Sequence, residues 1–183
     1  MKSGKEKILE SALSCFSRYG FSGTSMDEIV RQADVSKGLV YYHFKSKEEI
    51  LIEIVKIRLE QVNRVAEEMK LESDPKKKLR ILLDSLKNEL KGKSSLHRLL
   101  ICTALQQDVT PLIKDFMITM EPDFKKSLIE EKKMLKELGQ KDDDVTFFTF
   151  KATLQGIIHI YVVNPDIFPL DAVIDNVYRT YVK

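Results

Sequence analysis

The stretch Ser36 to Glu49, SKGLVYYHFKSKEE, decides the fold class because it predicts a short helix followed at once by the start of another. Ser36 is a suitable N-cap, since its hydroxyl can accept a hydrogen bond from a free amide of the first helical turn. Ser46 and Glu49 have the spacing of a capping box, in which each side chain bonds the backbone amide of the other residue. A short, aromatic-rich helix therefore ends and a longer helix begins within a few residues.

The residues before this stretch predict two more helices. Ser3 and Glu6 form another capping-box pair, and apolar residues follow at three- and four-residue spacing as far as Gly20. A second helix is expected to begin after Thr24 or Ser25, and a turn of about three or four residues joins it to the aromatic helix. Two helices joined by a tight turn of this length are typical of the DNA-binding helix-turn-helix.

The aromatic helix carries side chains that can contact DNA. The first turn of a recognition helix reaches the base edges, so Lys37, Gly38 and Tyr41 are predicted to contact or approach bases. Hydroxyl, imidazole and ammonium groups bond phosphate oxygens. The predicted phosphate contacts are Thr24, Ser25, Tyr42, His43 and Lys47, and Ser36 and Leu39 complete the predicted DNA-binding set. The alternative for the aromatic residues, above all Phe44, is burial in the core, because every helix buries one face.

Basic charge is concentrated near the N-terminus. Residues 1–47 hold eight basic and five acidic side chains, a net charge of +3, whereas the whole chain carries only +2. This distribution favours attraction of the N-terminal segment to phosphate. No apolar run approaches the roughly 20 residues that a membrane helix needs, and no signal-peptide pattern is present, so we expect a cytoplasmic protein with no membrane segment. Cys15 and Cys102 indicate packed thiols rather than a disulfide framework.

The sequence lacks the patterns that are typical of enzymes and metal sites. His43, His97 and His159 are far apart, and none has the helical spacing of a metal-binding pair. No nucleophile-elbow sequence frames a serine. Residues 91–94, KGKS, resemble the end of a phosphate loop, but residue 87 is Lys where that motif requires glycine. The chain is therefore predicted not to be an enzyme and to need neither a cofactor nor a metal.

Residues 8–51 resemble the N-terminal domain of the tetracycline-repressor (TetR) family of bacterial transcription regulators. The resemblance rests on Phe16 and Gly20 at the end of helix one, Thr24 and Ser25 at the start of helix two, and the run from Tyr42 to Lys47, YHFKSK. It implies an all-α protein of about nine helices. A three-helix helix-turn-helix DNA-binding domain would occupy residues 1–46, and a helical-bundle ligand-binding and dimerisation domain would occupy residues 47–183.

Two residues depart from the pattern of that family. Asp34 stands where a turn glycine is usual, but Asp tolerates a left-handed backbone better than most residues, so the turn is expected to survive. Leu39 stands where a small residue or Thr is frequent. If Leu39 faces the DNA groove, it would contribute an apolar contact, for example to a thymine methyl group.

Apolar residues at three- and four-residue spacing predict further helices in the rest of the chain. One helix is expected to begin at Asp74-Pro75 and to end at Gly92, with Lys76 to Lys78 on a solvated face. Another is expected to open at Thr110-Pro111.

The last two predicted helices suggest an interface between subunits. Residues 145–163 are apolar on nearly every side of the helix, which requires cover on every side, and a partner subunit can provide it. Residues 170–182 carry a single apolar stripe. In the family that the chain resembles, the last two helices form a four-helix dimer interface, so the resemblance implies a homodimer that presents two recognition helices to a palindromic double-stranded operator.

The resemblance also implies that a small molecule controls DNA binding. A ligand held among the body helices would favour the state that cannot bind DNA, so a repressor would leave its operator. The candidate ligand-binding residues are His97, Cys102, Gln106, Met117, Met120, Phe147, Phe150 and His159. The alternative for each is ordinary core packing. The mostly apolar set suggests a hydrophobic effector, and the alternative function is a regulator that activates transcription or acts through a protein partner.

Overall fold

Every regular element in the described part of the chain is an α-helix, which confirms the predicted all-α class. This computed structural model describes residues 3–104, 111, 115 and 121–182. The helices within those residues are α1 (Gly4–Tyr19), α2 (Met26–Ala33), α3 (Lys37–His43), α4 (Lys47–Leu71), α5 (Pro75–Ala104), α6 (Glu121–Glu137), α7 (Asp144–Val163) and α8 (Leu170–Tyr181). The helix predicted from Thr110-Pro111 lies mainly outside the described residues.

The chain divides into two compact units. As far as their residues are described, the first contains Met1–Arg58 and Ser95–Met120, and the second contains Leu59–Ser94 and Glu121–Lys183. The first unit thus includes the start of α4 as well as α1 to α3. The predicted domain boundary after residue 46 stays a prediction.

Local caps explain where the first three helices begin and end. The capping box of Ser3 and Glu6 is complete, and Gly20, at φ 76°, ends α1 by donating its amide to the Phe16 carbonyl at 3.0 Å. Ser25 caps α2 by accepting the Glu28 amide at 3.2 Å. The residues that sequence alone identified as caps therefore form the observed helix ends.

The capping box predicted at the start of α4 is only half formed. Ser46 Oγ accepts the Glu49 amide at 3.3 Å, as expected. The Glu49 carboxylate, however, accepts the amide of Lys45 at 2.7 Å, one residue before the expected partner. The same side chain thus satisfies an amide in the link between α3 and α4, and the long helix still begins at Lys47.

The core of the first unit fixes the helix-turn-helix. Ile8 and Phe16 of α1, Ile29 of α2 and Val40 of α3 are fully buried. Phe44 directly after α3 is only 4% exposed, so burial in the core was the right alternative for this residue. Burying apolar side chains of this size stabilises the fold by about 1.5–3 kcal/mol each.

The structure corrects the prediction for Gly92. Helix α5 does not end there but runs 30 residues, from Pro75 to Ala104. A single glycine costs a helix about 1 kcal/mol relative to Ala, and the burial of Leu90 and Leu96 on its two sides outweighs that cost. The predicted start is confirmed, because Asp74 Oδ1 accepts the Lys76 amide at 2.9 Å just ahead of the helix.

Ion pairs join the helices of the second unit. Lys78 of α5 pairs with Glu137 of α6 at 2.6 Å, and Lys151 of α7 pairs with Glu131 of α6 at 2.7 Å. Lys78 is only 4% exposed. The predicted solvated face therefore holds for Lys76 and Lys77, which are exposed, but is wrong for Lys78.

Charged residues also connect α5 to α8. Arg80 binds Asp175 at 2.9 Å, and Lys91 binds Asp171 at 2.8 Å. The Arg80 guanidinium also lies 4.1 Å from the centre of the Tyr178 ring. None of the helices among the described residues is both long enough and apolar enough to span a bilayer.

Candidate nucleic-acid interface

A left-handed residue makes the turn between α2 and α3. Asp34 adopts φ 51° and ψ 46° at the C-terminal end of α2. Asp is one of the few residues other than glycine that adopt this conformation at modest cost. The turn is therefore preserved with Asp34 in the place of the usual glycine, as expected.

Ser36 then starts α3. Its hydroxyl accepts the Leu39 amide at 3.2 Å, and its carbonyl accepts the amide of Val40 at 3.3 Å. The buried Val40 and Phe44 hold one side of this short helix against the core. The opposite side is consequently presented to solvent in a fixed orientation.

We call the outward side of α3, Lys37, Gly38, Tyr41, Tyr42 and His43, the recognition surface. Lys37, Gly38 and Tyr42 are exposed, Tyr42 by 77%, whereas Tyr41 and His43 are half-buried. A Cβ atom added to Gly38 would meet nothing within 4 Å, so this part of the surface is open to another molecule. The Tyr42 and His43 rings support each other edge to face, with centroids 5.1 Å apart.

Lys37 is held by an acidic residue in the first turn of α2. Its Nζ donates to Asp27 Oδ1 at 2.7 Å and lies 5.8 Å from the centre of the Tyr41 ring. The hydrogen bond to Asp27 raises the pKa of Lys37. Asp27 belongs to this surface although nothing in the local sequence pattern marks it.

Thr24 has a different role from the phosphate contact that was predicted. The residue is 2% exposed, and its hydroxyl donates to the Gly20 carbonyl at 2.8 Å. The side chain therefore stabilises the turn between α1 and α2 and is not on the surface. Ser25, the next residue, is exposed and caps α2, so its position is compatible with a nearby phosphate.

Lys47 likewise binds within the protein. Its ammonium group donates to the carbonyls of Phe21 at 2.9 Å and Thr24 at 3.0 Å, and it lies 4.6 Å from the centre of the Phe21 ring. These contacts fasten the start of α4 to the turn between α1 and α2. In this conformation the side chain supports the interface and does not project from it.

Leu39 is half-buried against the start of α1. A Cβ atom built on Gly4 would lie 2.7 Å from Leu39 Cδ2, so the two residues are in close contact. This contact packs Leu39 beside α1, and its approach to a thymine methyl group stays a prediction. Lys45 was missed by sequence reasoning, and its Nζ donates to the Tyr41 carbonyl at 2.7 Å, where it satisfies the end of α3.

The candidate ligand residues differ in burial and do not all lie in the same compact unit. His97 is 4% exposed in the first unit, and Phe147 and Phe150 are buried in the second, where the Phe150 ring lies 5.0 Å from that of Tyr181. His159 is exposed on α7, so it lacks the apolar surroundings on which its selection rested. The Cys102 side chain and residues Gln106, Met117 and Met120 lie outside what the structure describes.

Comparison with known proteins identifies the helix-turn-helix. Residues 8–54 match the bacterial regulatory proteins of the tetR family. Residues 8–54 therefore form a helix-turn-helix of the tetR type. The matched residues, which contain α1, α2, α3 and the start of α4, are the family's DNA-binding domain and carry the recognition surface.

Curated relatives such as IcaR match about a third of the chain. IcaR of Staphylococcus aureus, a helix-turn-helix negative transcriptional regulator of the biofilm operon icaADBC, is 36% identical over 61 residues. The aligned region covers 33% of this chain and 33% of IcaR, so the chain spans about a third of the length of that relative.

Solved structures match the whole chain, at low identity. The fatty acid degradation regulator FadR of Bacillus halodurans aligns with a TM-score of 0.78 and 17% identity, over 100% of this chain and 96% of its own. FadR of Bacillus subtilis, solved with stearoyl-CoA, aligns with a TM-score of 0.74 and 22% identity, over 97% of each chain. Both comparisons establish a shared fold.

Proposed function

We propose that this protein is a transcriptional repressor that binds a palindromic DNA operator as a homodimer and is released by a small hydrophobic ligand. The observation that carries the proposal is the recognition surface. A rigid helix presents an exposed Lys37, an open Gly38 and an exposed Tyr42, within the N-terminal residues 1–47 that carry a net charge of +3. An operator in a bacterial chromosome implies a cytoplasmic protein.

The arrangement of α3 suits the major groove of DNA. The groove is about 12 Å wide and admits an α-helix, whose N-terminal residues then reach the base edges. Lys37 and Gly38 form that N-terminal turn, so we assign base contacts to Lys37 and Tyr41 and close backbone approach to Gly38. Ser25, Tyr42 and His43 would hold phosphates on either side.

An uncharged face on α7 supports the homodimer. We call five residues on its exposed side, Val145, Phe148, Ala152, His159 and Val163, the α7 face; the uncharged Thr149, Gln155 and Ile160 are exposed beside them. Val145 is 76%, Phe148 65% and Val163 60% exposed, while the opposite side of the same helix buries Phe150 completely. Exposed apolar stripes of this kind mark protein interaction sites.

A second copy of the chain is the occupant that we propose for the α7 face. Helix α8 also exposes three uncharged residues, Ala172, Asn176 and Thr180, together with the charged Asp171, Asp175 and Arg179. A two-fold dimer would present two copies of α3 to half-sites about one helical turn of DNA apart, roughly 34 Å, or a multiple of it.

The ligand proposal rests on apolar composition and on one structural neighbour. Helix α7 buries Phe147, Phe150, Leu154 and Ile157 in the second unit, so a ligand among these helices would meet mainly hydrocarbon. FadR of Bacillus subtilis, which shares the fold, was solved with stearoyl-CoA. We therefore propose an acyl compound or another lipophilic molecule as the effector, and repression as the direction of control because IcaR is a negative regulator.

Selection of bound duplexes from random DNA tests the function. The purified full-length chain is expected to enrich a palindrome, and light scattering is expected to give twice the mass of one chain at micromolar concentration. Addition of long-chain acyl-CoA is expected to weaken binding of the selected duplex in an anisotropy titration. Failure to enrich any sequence would contradict the DNA-binding proposal, and the mass of a single chain would contradict the dimer.

A further inference from the structure

Asp27 and Lys37 form an ion pair within the helix-turn-helix. Asp27 lies in the first turn of α2, Lys37 is the first residue of α3, and their Oδ1 and Nζ atoms are 2.7 Å apart. The side chains are 75% and 63% exposed. The ammonium group therefore lies in solvent between a carboxylate and the Tyr41 ring, on the surface that we propose faces DNA.

This pair is poorly suited to a structural role. Exposed ion pairs contribute little to stability. The two helices are already positioned by the buried Ile29, Ala33 and Val40. A carboxylate near DNA also lowers the affinity for DNA, because it repels the phosphates. It further neutralises the lysine ammonium group, which would otherwise displace a counterion from the DNA. A role in recognition gives a reason for an acidic residue at this position.

The pair affects random and matched DNA differently. On random DNA, a Lys37 neutralised by Asp27 adds almost nothing to the sequence-independent attraction. On a matched operator, guanine O6 and N7 can accept from the ammonium group in place of the carboxylate. An exposed ion pair is weak and easily broken, whereas a good base contact discriminates strongly between bases, so the exchange is favoured at the right base.

We propose that Asp27 is a specificity-determining residue that withholds Lys37 from phosphates and releases it to a guanine in the operator. The proposal rests on the proposed function, since it requires that α3 bind DNA. Asp27 acts through Lys37 and does not itself contact DNA, so it is a positioning residue.

Asp27→Asn in the full-length chain tests the proposal, with Asp34→Asn as the matched control. The control removes the same charge from the same domain, and Asn tolerates the left-handed conformation that Asp34 adopts. Binding of the selected operator and of a random duplex of equal length is measured by anisotropy across a salt series. Asp27→Asn is expected to steepen the salt slope on random DNA by about 0.9 per subunit, about 1.8 for the dimer, which tightens that binding about fivefold to tenfold per subunit at 0.1 M salt.

The operator affinity of Asp27→Asn is expected to rise as well, because the pair no longer has to be broken there, but by less than the random-DNA affinity, because the base contact to Lys37 is already formed. The specificity ratio is therefore expected to fall several-fold. Asp34→Asn is expected to leave the ratio within about twofold, since it does not touch Lys37. An unchanged ratio in Asp27→Asn, or an equal fall in both variants, would overturn the proposal.

A double-mutant cycle shows whether the effect passes through Lys37. In a Lys37→Gln background, Asp27→Asn is expected to leave the specificity ratio unchanged, because no ammonium group remains to be released. An equal fall in that background would mean that Asp27 acts only by general repulsion, and would overturn the proposal. If the wild-type chain prefers no sequence at all, the proposed function fails; if it prefers its operator and the Asp27 variant behaves like wild type, only this inference fails.

Discussion

The recognition surface on α3 and the α7 face both expose large aromatic side chains, yet their surroundings differ. Tyr42 is 77% exposed beside Lys37, Gly38 and His43, which offer hydrogen bonds and charge. Phe148 is 65% exposed on a face whose other members are two valines, an alanine and a histidine. The first surface suits a polar, charged partner and the second suits an apolar one, so the neighbours of an exposed ring, more than the ring itself, indicate what covers it.

The largest expected effect comes from placing a charge on the α7 face. Phe148→Asp is expected to raise the dimer dissociation constant by about 100-fold or more, because each subunit loses a buried aromatic worth about 1.5–3 kcal/mol and the symmetric interface counts the loss twice. Light scattering over a dilution series measures the change. Operator affinity is expected to fall with it, since one recognition surface alone binds weakly.

Phe148→Leu is the control for that variant, because it keeps the face apolar at nearly the same size. It is expected to remain a dimer with operator affinity close to wild type. A Phe148→Asp chain that keeps the mass of a dimer at micromolar concentration would show that the α7 face is covered by something other than a second copy.

The next effect concerns base contact on the recognition surface. Tyr41→Ala is expected to lower operator affinity about tenfold and to leave random DNA almost unaffected, since a base contact contributes about 1–3 kcal/mol of discrimination. Anisotropy titrations on the two duplexes separate these effects. Equal losses on both would assign Tyr41 to the phosphate backbone, and would make the recognition surface less selective than its comparison with the α7 face suggests.

Lys47 shows that a basic side chain near the recognition surface can act on stability instead. Lys47→Met keeps the aliphatic stem but loses the hydrogen bonds to the Phe21 and Thr24 carbonyls. The free energy of unfolding is expected to fall by about 1–2 kcal/mol, since the charged hydrogen bonds are lost from a half-exposed site. Thermal denaturation measures this change. An unaltered melting temperature together with weaker binding to all DNA would return Lys47 to the phosphate contacts.

The parts of this molecule that the sequence predicted well depend on neighbours along the chain. The caps at Ser3, Ser25 and Ser36 bond amides three residues away, and the turn at Asp34 depends on the backbone of one residue. Interactions over that distance have fixed spacings, so a pattern in the sequence is sufficient to find them.

The wrong or incomplete predictions involve partners from distant parts of the chain. Lys47 bonds a carbonyl 26 residues earlier, and Lys78 is buried by a partner 59 residues later. The apolar pattern of α7 predicted a helix that needs cover on all sides, but could not show that Phe147 faces inward and Phe148 outward. Which side of such a helix is exposed depends on the three-dimensional packing of the other helices.

The smallest expected effect concerns the ion pairs between α5 and α8. Hydrogen bonds from Lys91 and Arg80 lower the pKa values of Asp171 and Asp175, respectively. A carboxyl group whose pKa is lower in the folded state stabilises the fold above its unfolded pKa of about 3.9, and this contribution is lost as the pH falls through the lowered value. Stability should therefore decline in acid, below about pH 4, and by little because both carboxylates are exposed.

The variant with both Asp171→Asn and Asp175→Asn removes this dependence. Its melting temperature is expected to fall less steeply between pH 5 and pH 3 than that of the wild-type chain. It is also expected to respond less to added salt at neutral pH, because salt screens the exposed pairs that only the wild-type chain has. If these pairs also hold α8 in place beside the α7 face, the variant should weaken the dimer slightly at neutral pH. Identical acid profiles for the two chains would mean that burial of Leu170, Ile174 and Val177 alone holds α8, and that the proposed dimer surface depends on apolar contacts throughout.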